Sequence, residues 1–168
     1  MENNLEKKKN IKEHILSLYQ RHKKKFYTSV IILIFFSIIL IYLNENKKKQ
    51  NILLSEKYIK AQFFLNNGKN EKAKQFFEDL ILSESNFYSI LALNTVLEKK
   101  IINDQEKILK FFEKIEKKNF DEEIKDLIIF KKGLFLLKIK ENEAGEKILN
   151  NLINKNSNLK ALAEDIVK

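Results

Sequence analysis

Cysteine is absent from this chain, which removes disulfides, thiolate nucleophiles and cysteine-based metal sites together and leaves the redox compartment open. Glycine occurs three times, at Gly68, Gly133 and Gly145, each isolated, so there is no glycine-rich loop to cradle a phosphate. The two histidines, His14 and His22, lie eight positions apart with no carboxylate cluster beside them, and no metal site is expected there. Asp121, Glu122 and Glu123 are adjacent acids. Because they precede a strongly helical run, they read as first-turn residues that satisfy orphan N–H groups and the helix dipole, not as a cation site. No catalytic constellation remains, so the chain is read as a non-enzyme with no cofactor and no metal.

Arginine occurs once, and tryptophan and proline never. Ile, Lys and Asn supply 73 of 168 residues, the signature of an A+T-rich coding sequence, so abundant lysine says little about nucleic acid. A nucleic-acid module would offer arginines for bidentate contacts and a clustered basic face. Here Glu is interspersed with Lys throughout, and no nucleic-acid partner is expected. The formal charge of +9 is concentrated toward the front: residues 1–43 hold 8 basic and 3 acidic side chains, residues 44–168 hold 24 and 20.

Against these absences stands one long apolar run, Phe26 to Leu43, eighteen positions without a charge. As a helix it reaches roughly 27 Å, about the thickness of a bilayer's hydrocarbon core. Phe26, Tyr27 and Tyr42 lie at its ends, where amphipathic rings favour the interface. The residues immediately C-terminal to it, Asn44 to Asn46 and then Lys47, Lys48 and Lys49, contain no small-residue cleavage site, so the run is expected to be a permanent anchor. Eight Lys and Arg precede it within about twenty residues and five come after, which favours the N-terminus inside. The expected organisation is a basic cytoplasmic tail (1–25), a transmembrane helix (26–43) and one domain (44–168). The tail lacks transit-peptide character. Its Ile11, Ile15, Leu18 and Tyr19 share a helical face, most simply that of a solvated helix.

Beyond the anchor the spacing predicts helices only. Apolar residues recur at three and four: Leu54, Tyr58, Ala61, Leu65; Ala73, Phe76, Phe77, Leu80, Ile81; Tyr88, Leu91, Ala92, Thr95; Ile108, Phe111, Phe112, Ile115; Ile124, Leu127, Phe130, Leu134, Leu137; and Ile148, Leu149, Leu152, Ile153. Breaks fall at Asn66–Gly68, Ser83–Asn86, Asn103–Asp104, Asn119–Glu123 and Asn154–Asn158, and a terminal helix runs from Leu159 to Val167. The chain also resembles itself. EKAKQFFEDL at 71–80 matches EKILKFFEKI at 106–115, and NEKAKQFFEDLI at 70–81 matches NEAGEKILNNLI at 142–153. With the third copy Ala61 corresponds to Gly133 and Ala73 to Gly145, paired small residues that allow the two helices of a hairpin to approach closely.

A helical hairpin repeating at about 34 residues, with a small residue in each helix, resembles the tetratricopeptide repeat. Ala61, Phe64, Gly68, Ala73 and Phe77 fall where that pattern has its small residue, aromatic, turn glycine, alanine and aromatic; the second unit departs, with Val96 and Ile108 at small positions. The resemblance implies an all-α fold of about three hairpins plus a terminal helix, whose first helices line a concave surface. Polar or aromatic residues left over from the core stripe on those helices, Lys57, Lys60, Phe64, Asn94, Lys131 and Lys132, are the candidate partner-groove residues. The whole layout is similar to that of the bacterial ancillary subunit of the SecYEG translocon, a single-pass inner-membrane protein with a periplasmic tetratricopeptide-like domain. That resemblance implies the lipid bilayer, the SecYEG channel and a membrane-anchored periplasmic chaperone as partners. The alternative is a scaffold of the same architecture in another envelope process, such as cell division or cofactor assembly.

Overall fold

The three-and-four spacing is realised as helix throughout. In the computed structural model α1 spans Glu2–Asn66, α2 Asn70–Ile81, α3 Asn86–Lys99, α4 Gln105–Glu116, α5 Glu122–Lys138, α6 Asn142–Asn154 and α7 Lys160–Val167, with no strand among the described residues. The structure describes the backbone of residues 2–168 and the side chains of Lys24, Lys25 and residues 27–168. His14, His22, Phe26 and the Ile11–Tyr19 face therefore lie outside the described side chains. The chain divides into two units, 1–50 and 51–168.

The first unit is the N-terminal part of α1. Every residue from Tyr27 to Gln50 is exposed, including the whole described part of the apolar run. Two of its hydroxyls are satisfied within the helix: Thr28 Oγ1 donates to Lys24 O at 2.8 Å and Ser37 Oγ to Leu33 O at 2.9 Å. By length and composition this helix can cross a membrane.

In the second unit the small residues set the spacing of the helices. Ala61 and Ala73 are fully buried, and α1 from residue 51 runs antiparallel to α2, with Tyr58 edge-on to Phe77 and Phe64 stacked on Phe76 at 5.5 Å. Gly133 and Gly145 play the same part for α5 and α6: a Cβ on Gly145 would stand 3.1 Å from Gly133 O and 2.7 Å from Leu137. One core gathers α1 to α5 around Phe77, Phe112 and Ile115; another joins α5, α6 and α7 through Phe130, Leu149, Leu152 and Ala163. Each fully buried Phe contributes about 1.5–3 kcal/mol relative to an exposed one.

The breaks carry the expected chemistry, with one addition. Ser85 Oγ accepts from Tyr88 N and Asp104 Oδ1 from Lys107 N, capping α3 and α4. Gly68, at φ 69°, closes α1 with bonds from Gly68 N to Leu65 O and from Lys69 N to Phe64 O. The same turn recurs between α5 and α6 around Lys140 at φ 68°, where Lys140 N donates to Leu137 O and Glu141 N to Leu136 O without a glycine. That break carries no residue signal, and the sequence does not announce it.

Two expectations about α5 are corrected, the second in part. Its buried side is Asp126, Ile128, Phe130, Gly133, Phe135 and Leu136, whereas Ile124 and Leu134 of the expected stripe are each 37% exposed. The helix is apolar around most of its circumference, so spacing alone does not select a face. Glu122 and Glu123 occupy the first turn as expected, but Asp121 makes no side-chain cap bond and the two glutamates also hold a loop: Glu123 accepts from Asn158 Nδ2, and Glu122 lies 3.5 Å from Lys155 Nζ.

Lys118 and Lys155, thirty-seven residues apart, perform equivalent tasks with different partners. Lys118 reaches back to the start of α3 and donates to Ser83 O, Ser85 O and the Oγ of buried Ser89; burial pushes its amine below the ordinary 10.5. Lys155 reaches the start of α5 and pairs with Asp126, the position equivalent to Ser89, and the hydrogen bond to that carboxylate holds its amine above 10.5. Ser157 Oγ donates to the other oxygen of Asp126. The buried carboxylate thus meets an ammonium group on one oxygen and a hydroxyl on the other.

Candidate protein-interaction surface

Ala61, Val96 and Gly133, at intervals of 35 and 37, place the helices α1, α3 and α5 in a common register. In that register Ile52, Phe87 and Ile124 are equivalent, as are Ile59, Asn94 and Lys131. Ile52, Ile59 and Phe87 are exposed by 60% or more, and Phe63 joins them on α1 at 60%. Large apolar side chains therefore stand in solvent on both α1 and α3, beyond the single exposed residues that any surface carries.

Between α3 and α5, Asn94, Ile124 and Lys131 border a furrow. Lys131 Nζ donates to Asn94 Oδ1 at 2.8 Å and so spans it. On one side of this bridge the walls are aliphatic, from Ile90, Leu93, Ile124 and Leu127. On the other lies a more open cleft of about 350 Å³, with Leu97, Glu98, Leu134 and Lys138 beside the bridge. The furrow thus offers apolar area with a few fixed polar groups, the composition of a recognition surface. Among the described residues no group of three or more His, Asp or Glu gathers as metal ligands would.

Of the six candidate groove residues, the structure brings Asn94 and Lys131 together at this furrow. Lys60 is exposed on α1. The other three meet α2 and α4: Lys57 pairs with Asp79 of α2 at 2.8 Å, Phe64 stacks on Phe76 of α2, and Lys132 pairs with Glu116 of α4 at 3.0 Å. Their long side chains reach across to a neighbouring helix instead of standing off the core. Leu97, Glu98, Leu134 and Lys138 are among the furrow residues that sequence reasoning did not select. The signal available for Leu134 was the second apolar face of α5.

No family model, curated protein or solved structure matches the chain.

Proposed function

We propose that this chain is a membrane-anchored protein-interaction scaffold, built as about three tetratricopeptide-like hairpins and a terminal helix, which serves the SecYEG export channel and a membrane-anchored chaperone. The apolar run holds it in a bacterial inner membrane with the N-terminus cytoplasmic and the domain from Asn44 in the periplasm. The observation that carries the scaffold reading is the α3–α5 furrow, with Ile124 and Leu134 on its walls, together with the exposed apolar residues Ile52 and Phe87 at equivalent positions of the preceding first helices. Such a surface offers area and shape, with Lys131 held to Asn94 across it. The resemblance in layout supports the choice of the export channel. Tethering raises the effective concentration of partners in the same membrane, so weak contacts suffice. Crosslinking in native membranes, followed by identification of the captured proteins, tests the reading. Translocon and chaperone subunits are the expected catch; division or cofactor-assembly proteins in their place would transfer the scaffold to another envelope process.

A further inference from the structure

Lys131, Leu134 and Lys138 stand at i, i+3 and i+7 on α5, one stripe along the furrow that covers two turns and about 10 Å. Among the described residues Lys131 bonds only the neutral carboxamide of Asn94. Lys138 is exposed and makes no ion pair among the described residues. The carboxylate on the facing wall, Glu98, is paired with Lys99 at 3.2 Å. Two ammonium groups thus flank an aliphatic side chain, and neither has a carboxylate to balance it.

We infer that this furrow receives an amphipathic helix of another protein, whose docking stripe reads acid, aliphatic, acid at the matching spacing of i, i+3 or i+4, and i+7. The inference rests on the scaffold reading above and names the chemistry of its partner. A helix laid along α3 and α5 sets its ridge into the groove between them, its aliphatic residue on Leu134 and Leu97 and its carboxylates over Lys131 and Lys138. Charge fixes the register and the orientation, and the apolar contact supplies the buried area. The chain carries a similar stripe itself, Glu106, Leu109 and Glu113 on α4. It is not free for the purpose: Glu106 pairs with Lys110 at 3.0 Å, and Leu109 packs against the core. A protein other than this one is therefore the occupant.

The probe is a labelled, side-chain-stapled helical peptide of about 15 residues, long enough to hold helix in water only with the staple, with Glu at i and i+7 and Leu at i+3 and i+4. Fluorescence anisotropy reads its binding to the full chain in neutral detergent micelles. Saturable binding is expected, weakened about tenfold or more by the double change Lys131→Glu and Lys138→Glu. A peptide with Lys at both Glu positions should bind that variant better than the native chain, which shows that the variant is folded. Leu134→Asp should weaken both peptides. Equal binding of the acidic peptide to native and doubly reversed chains would overturn the inference. So would native chains that occupy the furrow by self-association until Glu113→Lys releases them, or a peptide signal that tracks anionic lipid added to the micelles and not the variants. Co-purification with translocon subunits separates the two readings. If it survives in the doubly reversed chain while peptide binding fails everywhere, the furrow assignment falls and the scaffold stands; if the peptide behaves as expected and no translocon subunit is captured, the export assignment falls and the furrow stands.

Discussion

The carbonyl oxygen of Gly133 lies 3.1 Å from the point where a Cβ on Gly145 would stand, so α5 and α6 meet backbone to backbone. Gly145→Ala should cost about 1–3 kcal/mol, because the methyl must displace Leu137 and the facing backbone cannot yield. Ala73→Leu, at the equivalent position of the first hairpin and fully buried, should cost a similar amount. Glu71→Ala, on the exposed side of α2, should change stability by less than about 0.5 kcal/mol. Urea denaturation of the full chain in detergent compares the three; equal midpoints would contradict the close approach.

The turns at Gly68 and Lys140 have one geometry and two residue types, which sets opposite signs for two exchanges. No atom lies within 4 Å of a Cβ at Gly68, so Gly68→Ala is opposed by the left-handed backbone alone, at about 1 kcal/mol. Lys140→Gly relieves the same strain and should stabilise by about 0.5 kcal/mol after the entropy lost by glycine. Thermal melts of the two variants should move in opposite directions.

Lys155 and Lys118 should make opposite contributions at alkaline pH. The raised amine of Lys155 stabilises the fold fully below 10.5, and this stabilisation is lost as pH rises through the folded value. The lowered amine of Lys118 penalises the fold while it is charged, and that penalty is relieved as pH climbs from the lowered value toward 10.5. Against the native profile of stability with pH, Lys155→Met should remove a fall above 10.5 and Lys118→Met a rise below it. At neutral pH Lys155→Met should also cost about 1–3 kcal/mol, since it leaves the carboxylate of Asp126, 5% exposed, with a neutral hydroxyl. The double exchange Lys155→Met with Asp126→Ser should recover most of that loss. A double variant no more stable than Lys155→Met would show that Asp126 is not the group left unpaired.

Most helices were legible because their apolar stripes are narrow: Ile108, Phe111, Phe112 and Ile115 of α4 are all buried, as the spacing predicts. The α5–α6 turn was not, since Lys140 adopts a glycine conformation without being glycine. The buried face of α5 was not legible either, because Ile124, Leu127 and Leu134 are as apolar as the residues that the core chose. This ambiguity hid the furrow. Half of the candidate site residues went elsewhere for a related reason: a residue outside the core stripe can still reach a neighbouring helix, as Lys57 reaches Asp79 and Lys132 reaches Glu116. Side-chain length is written in the sequence, but its target is a property of the packed pair.

Topology is tested separately. Protease added to the outer side of spheroplasts should digest the domain after Asn44 and leave the anchor and tail protected, the orientation that the uneven basic flanks of the run favour. Protection of the whole domain until lysis would place it in the cytoplasm and exclude the periplasmic partners.

The most direct test of the scaffold is a photo-crosslinking amino acid at Leu134, activated in native membranes that carry the full chain. Discrete adducts with one or two proteins of the export machinery are expected, retained when Phe26 to Leu43 is exchanged for an unrelated membrane helix and lost on Lys131→Glu with Lys138→Glu. Adducts confined to lipid, or partners that disappear on exchange of the anchor alone, would contradict the scaffold reading.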